Sequence, residues 1–217
     1  LFTPTAGAIS GAVGVRTDSG IFYGRRVILA AGGASYPQTG SSGEGYRMAE
    51  KLGHTLQPIR PSLVPLEIEE AFVRDLQGLA LKNVRVTLRA GGQKVGAEFG
   101  EMLFTHFGVS GPIILTLSGD AVDQIGRQKV ELSVDFKPAL SGEQVEARLI
   151  RELHAHHRKQ ISSILTHLLP QRLVPIFIRR ADISANLKGT EVQSAERKRL
   201  GRLLKDWRLT VRSPRPL

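Results

Sequence analysis

Two hydrophobic rhythms follow one another along this chain, and no single-class fold accommodates both. Between Val64 and Phe136 apolar residues alternate with polar ones, as in Val84-Arg85-Val86-Thr87-Leu88 and Val130-Glu131-Leu132-Ser133-Val134-Asp135-Phe136, with a Gly91-Gly92 turn ahead of Val95–Phe104. A period of two is the signature of strands with one buried face. From Ser141 onward the spacing lengthens. Val145, Leu149 and Leu153 follow a Ser141-Gly142-Glu143-Gln144 start, Ile161, Ile164, Leu165 and Leu168 run up to Pro170, and Leu200, Leu203, Leu204 and Trp207 form a third set. These are helical stripes, the first with a capping-box start. The chain is therefore expected to be α+β, with a β-rich, barrel-like lobe over residues 63–137 and a helical lobe over 138–208.

Residues 1–62 read differently. A glycine-punctuated stretch, Gly7 to Arg16, leads into alternation around Thr17–Tyr23 broken by Asp18-Ser19-Gly20, the pattern of an antiparallel hairpin. The run Val27-Ile28-Leu29-Ala30-Ala31 predicts a strand buried on both faces of an α/β sheet. It ends at Gly32-Gly33. Beyond Gly45, Tyr46, Ala49 and Leu52 share a helical face that Gly53 closes. Pro58, Pro61 and Pro65 then prevent helix and predict an extended crossover into a new domain, with the boundary near Ser62. The extended tail, residues 209–217, is expected to return to this first domain.

With no cysteine, disulfides, thiolate nucleophiles and sulfur-ligated metals are excluded, and a reducing cytoplasmic setting is expected. Apolar runs of about five residues fall far short of the ~20 needed to span a bilayer, so no membrane partner is expected. The chain opens on Leu1 with no basic or apolar leader, and both ends are expected to be cuts within a longer chain. The net charge of +10 is unevenly spread: residues 1–146 hold 14 Lys/Arg against 15 Asp/Glu, and residues 147–217 hold 16 against 5.

The segment Val27–Ser35, followed by Thr39-Gly40-Ser41-Ser42-Gly43-Glu44-Gly45, joins a strand end to a helix start through glycine. Glycines there allow a ligand close to the backbone, and free N–H groups at a helix start favour anionic groups. Alone, the pattern fits an ordinary α/β connection equally well. Val27–Pro65, however, resembles the strand and Ala-Thr-Gly-Gly element of the bacterial BaiN/YhiN-type (aminoacetone oxidase-like) FAD-dependent oxidoreductases. Gly43-Glu44-Gly45-Tyr46-Arg47-Met48-Ala49-Glu50-Lys51-Leu52-Gly53-His54 is similar to their next helix. Gly100-Glu101-Met102-Leu103-Phe104-Thr105-His106-Phe107-Gly108-Val109-Ser110-Gly111-Pro112 resembles their most specific signature. The resemblance covers nearly the whole chain, with one departure: Ala31 stands where the family has threonine.

The resemblance implies a partial doubly wound FAD-binding domain carrying an inserted lobe that caps the flavin and substrate site. It implies FAD lying along Ala31, Gly32, Gly33, Thr39, Gly40, Gly43 and Gly45, with Tyr36 bordering the substrate cavity and His106 in a catalytic role. The implied activity is flavin-mediated two-electron transfer on a small organic substrate, with NAD(P)H a candidate reductant. The family's N-terminal Gly-x-Gly-x-x-Gly loop and glycine-rich C-terminal segment are not in this sequence. Those parts of its own FAD domain are the expected partners, and the 217-residue piece alone is expected to be inactive.

Three further features are assigned to structure. His154 and His157, three apart on a helix, lack a third ligand, so no metal is expected. Glu67, Glu69 and Glu70 read as a solvated strand edge. Arg179-Arg180, Arg197-Lys198-Arg199, Arg202, Lys205 and Arg208 could track a phosphate backbone, and a nucleic-acid-binding protein is the alternative function. Only Phe177 and Trp207 interleave with these cations, so a solvated face is expected and nucleic acid is not an expected partner.

Overall fold

The computed structural model describes residues 14–216. Two compact units meet between Arg60 and Pro61, the second running Pro61–Pro216. The segment Gly7 to Val13 of the first predicted element lies outside the described residues.

In the first unit the expected hairpin forms: β1 (Gly14–Thr17) pairs antiparallel with β2 (Gly20–Tyr23), Thr17 opposite Gly20 across the Asp18-Ser19 turn. α1 (Glu44–Lys51) follows, and Gly53 turns left-handed just past its end. The reading of Val27–Ala31 as a doubly buried strand is corrected. No ladder forms there, and Ile28 is 90% exposed. A strand exists through hydrogen bonds to neighbours, and no strand among the described residues lies beside this run.

The second unit is a closed antiparallel barrel. Its strands are β3 (Leu66–Ile68), β4 (Ala80–Ala90), β5 (Gln93–Phe104), β6 (Gly108–Ser110), β7 (Val130–Asp135) and β8 (Trp207–Pro214), arranged β3-β6-β5-β4-β7-β8 and back to β3. Alternation in the sequence becomes alternation of burial: Val84, Val86, Leu88 and Ala90 of β4 are buried, and so are Trp207, Leu209 and Val211 of β8. Between β6 and β7 lies α2 (Pro112–Gln124), with Pro112 as its first residue. Its buried Ser118 donates to the Leu115 carbonyl at 2.7 Å and accepts from the Val64 amide at 3.1 Å, which ties the crossover to the helix.

The four helices between β7 and β8 are α3 (Gly142–Ala155), α4 (Ile161–Leu165), α5 (Val174–Ala181) and α6 (Ser194–Lys205). α3 carries the predicted capping box between Ser141 and Gln144. α5 has no counterpart in the sequence reading. Leu149, Ile164, Phe177 and Leu200 on these helices belong to the same buried cluster as barrel residues Leu66, Val86 and Leu132. The β-rich and helical segments thus share one core.

The assignment of residues 209–217 to the first unit is corrected as well. Trp207–Pro214 is the strand that closes the barrel, pairing Val134 with Trp207 on one side and Leu66 with Pro214 on the other. Trp207 is the first residue of that strand and not the last of the helical stripe. Phe177 stacks on it at 5.3 Å, Phe72 and Phe136 meet its edges at 5.8 Å, and Arg180 sits 4.8 Å over its ring. Removing a fully buried aromatic typically costs ~3–5 kcal/mol. Trp207→Ala is expected to lower the unfolding free energy by about that amount in urea denaturation, with barrel and helical signals lost together because they share the core.

Candidate functional site

The glycine-rich connection of the first unit folds into a small, side-chain-poor surface. Residues 30–35 read Ala-Ala-Gly-Gly-Ala-Ser and 40–43 Gly-Ser-Ser-Gly, so nothing longer than a serine side chain rises from either stretch. The Gly43 amide donates to the Gly33 carbonyl at 3.0 Å, which fastens the start of α1 to the end of the apolar run. Gly43 is the N-cap of α1 with φ of 80°, a conformation that a residue with a side chain adopts only under strain. Gly45, the second residue of the helix, is buried against Ala31: a Cβ there would lie 3.3 Å from the Ala31 methyl carbon. Tyr36 and Ser41 form an isolated bridge around a 3-10 turn, and the Thr39 hydroxyl donates to the Tyr36 carbonyl at 3.1 Å.

Ala31, Gly32, Gly33, Gly43 and Gly45 therefore converge, and Thr39 and Gly40 lie in the turn that returns the chain to them. Tyr36 is 63% exposed on that turn. The first N–H groups of α1 have no acceptor within the helix. An open backbone surface beside a helix start suits the phosphate and ribityl parts of a flavin nucleotide. The residues present fit FAD.

His106 lies in the second unit. The Thr105 amide donates to the Gly108 carbonyl at 2.8 Å, and the Gly108 amide returns a bond to Thr105 Oγ1 at 3.1 Å. This tight turn leaves His106 exposed, its ring edge-on to Phe107 at 4.9 Å. Gly108 is required by packing: a Cβ there would strike the Leu66 carbonyl oxygen where β3 crosses β6. Part of the most family-specific motif thus serves barrel closure. His106 and Phe107 border a cleft of about 700 Å³ that also takes in Glu67, Glu70, Arg74 and Arg215.

The glutamates of this cleft correct the reading of a merely solvated edge. Glu67 accepts from Arg215 Nη1 at 2.8 Å and from Ser213 Oγ at 2.9 Å, while Glu70 accepts from the Thr210 amide at 3.0 Å. Both bind β3 and its continuation to β8. The Arg215 hydrogen bond first, and the Ser213 one second, hold the Glu67 carboxyl below its ordinary range against a weaker upward push from burial.

Several cations of the helical unit also have internal work. Arg199 donates to the Ala181 and Asp182 carbonyls at the end of α5, Lys205 pairs with Asp135 at 2.6 Å, and Arg197 with Glu146 at 3.3 Å. Arg151, Arg158, Lys159, Lys198 and Arg202 are exposed, and their side chains make no hydrogen bond or ion pair among the described residues. The histidines regroup too. α3 ends at Ala155, so His154 and His157 share no helical face, and the residues that converge are Glu152, His156 and His167. The four-residue spacing of Glu152 and His156 is legible in the sequence; the approach of His167 is tertiary.

Residues 60–217 match the family model described as HI0933-like protein barrel and H2TH domain. The chain is 30% identical over 198 residues to the 3-dehydro-bile acid delta(4,6)-reductase of Clostridium scindens, covering 91% of this chain and 48% of that protein. It is 31% identical over 185 residues to the ribosomal RNA dihydrouridine synthase of Escherichia coli, covering 85% and 43%. The Haemophilus influenzae protein of the same name is 29% identical over 176 residues, covering 78% and 41%. The chain thus spans a little under half the length of these relatives.

The cleft yields a pH prediction. A folded carboxyl pKa below the ordinary value contributes stability that is present above that value and is lost as pH falls through the folded pKa. In Arg215→Ala, the Glu67 carboxyl resonance should titrate at higher pH than in the parent by NMR. The stability gap between the two proteins should be full at neutral pH and close in acid. Equal Glu67 titration in both would mean that the pair does not form.

Proposed function

The chain belongs to the HI0933-like family, and on that footing we propose that it is part of an FAD-dependent reductase acting on a carbon–carbon double bond. The observation that carries the reading is the side-chain-poor surface formed by Ala31, Gly32, Gly33, Gly43 and Gly45 at the start of α1. The names of the relatives support the reaction class, since a delta(4,6)-reductase and a dihydrouridine synthase both add two hydrogens across a double bond. FAD, when bound, supplies the two-electron step, with NAD(P)H as its reductant. The backbone at 31–33 and 43–45 holds the cofactor, and Thr39 and Gly40 shape the turn beside it. His106 is the candidate proton donor, exposed on a turn whose geometry the Thr105–Gly108 hydrogen bonds fix. Tyr36 is the candidate substrate-facing residue of the first unit.

In this reading Val27–Ala31 becomes a strand when the remainder of the FAD domain supplies its neighbours. The 217-residue piece alone is then inactive, and the intact protein works in the cytoplasm. No helix among the described residues is long and apolar enough to cross a membrane.

A small organic molecule is the substrate class in the first form of this proposal. A uridine within RNA is the second form, favoured by the exposed, unpaired Arg151, Arg158, Lys159, Lys198 and Arg202. Cations of this kind add affinity through counterion release, which makes binding steeply dependent on salt.

Purification of the full-length protein decides the cofactor. It is expected to carry a yellow chromophore whose released mass is that of FAD, while Gly45→Val loses ~10-fold or more of bound flavin through the clash with Ala31 and keeps its barrel. A colourless, flavin-free full-length protein would sink the proposal. For the substrate, Lys198→Glu/Arg202→Glu is expected to weaken RNA binding and flatten its salt slope by ~1 per lost phosphate contact, with the flavin spectrum unchanged. RNA binding unaffected by these changes would leave the small-molecule form standing.

A further inference from the structure

Outside the proposed flavin and substrate regions, one cluster combines three metal-ligating side chains. Glu152 lies in the last turn of α3, His156 is the residue that caps that helix, and His167 comes from the turn after α4. Glu152 Oε2 is 2.8 Å from His167 Nδ1 and 3.8 Å from His156 Nε2, and the two imidazoles meet edge to face at 4.5 Å. One potential ligand atom from each of the three falls within 4.8 Å of the others. Glu152 is 12% exposed, His156 29% and His167 36%, so a shielded carboxylate sits beneath two partly open rings.

The surroundings orient the group. Arg148 takes the other carboxylate oxygen, Oε1, through Nη2 at 2.7 Å and Nε at 2.8 Å, which leaves Oε2 directed at the imidazoles. Such outer partners fix ligand geometry in metal sites. A simple ion pair accounts for one histidine on a carboxylate. It does not account for a second ring nitrogen directed at the same oxygen.

We propose that Glu152, His156 and His167 form a binding site for a divalent transition-metal ion, with zinc the best match. Two nitrogens and one carboxylate oxygen are a borderline donor set that favours zinc, nickel or copper over magnesium or calcium. Tetrahedral bonds of ~2.0–2.2 Å place ligand atoms about 3.3–3.6 Å apart, so the 2.8 Å Glu152–His167 contact opens and the wider separations close, adjustments that partly exposed side chains at a helix end can supply. Three protein ligands leave the fourth position to water. Because the ligands come from the end of α3 and from beyond α4, the ion acts as a clip between these helices, and none of the three lines the His106 cleft.

Titration of zinc chloride into EDTA-treated full-length protein tests this by calorimetry, alongside thermal unfolding. One ion per chain is expected, with a rise in unfolding temperature. His167→Ala and Glu152→Gln are each expected to weaken binding at least ~10-fold and to abolish the thermal rise. His156→Gln, which leaves the buried carboxylate and its Arg148 bond intact, provides the same readout if the other variants unfold. Cobalt(II) as a second probe should give visible absorption of the tetrahedral kind, lost in the same variants. No saturable zinc binding, or binding in His156→Gln and His167→Ala as strong as in the unsubstituted protein, would overturn the site.

Discussion

Closure of the barrel by β8 is the constraint on which the second unit depends. β3 is only three residues long, and β8 is joined to β7 only through the four helices α3 to α6. β3 is too short to persist as a free edge, and an unpaired edge of β8 would invite pairing with other chains. Joining them removes both edges. The Glu67–Ser213, Glu67–Arg215 and Glu70–Thr210 hydrogen bonds reinforce the joint, linking residues about 140 positions apart in sequence. The helical excursion is thereby held between two adjacent strands, with Trp207 at its root against Phe72, Phe136 and Phe177.

The signature around His106 follows from the same closure. Gly108 lets β6 pass against β3, and the Thr105–Gly108 turn then projects His106 and Phe107 toward the cleft. Arg215, just past β8, sits 4.8 Å over the Phe107 ring while it binds Glu67. A histidine that looks isolated in the sequence is thus set on a turn whose position the barrel determines. The proposed proton-donor role and the architecture make separate demands on the same four residues, Thr105 to Gly108.

Legibility in the sequence followed locality. β4, β5 and β7 were visible because each alternates over six or more residues, and α3 because Ser141 and Gln144 announce its start. α5 shows no clear stripe in the sequence because it is eight residues long and has Pro175 in its first turn. The start of β8 looks helical in the sequence because Trp207 stands at helical spacing from Leu203 and Leu204, whereas Asp206, with φ of −146°, breaks the helix one residue earlier. Val27–Ala31 has the composition of a buried strand, but burial and pairing are supplied by neighbours that no local pattern encodes. Of the candidate site, 31–33 and 43–45 are grouped in the sequence only through the family resemblance, while the roles of Glu67, Glu70 and His167 are long-range and have no local signal.

The charge asymmetry of the last third bears on how its few acids are used. Glu191 accepts from the Lys188 amide and Glu196 from the Gln193 amide, each at the start of a helical turn. Glu152 binds Arg148 and His167, and Asp206 accepts from Ser133 at 2.6 Å as well as from Arg208. Burial pushes the Asp206 carboxyl up, but the Ser133 and Arg208 bonds outweigh it and hold the group below its ordinary range. Four of the five acids are thus held in caps and internal pairs, and each keeps its charge while its position is fixed. The positive field follows from the count, 16 Lys/Arg against 5 Asp/Glu, and the caps decide where the few negative charges sit. Any anionic partner of this unit meets a surface whose counter-charges are already committed to the fold.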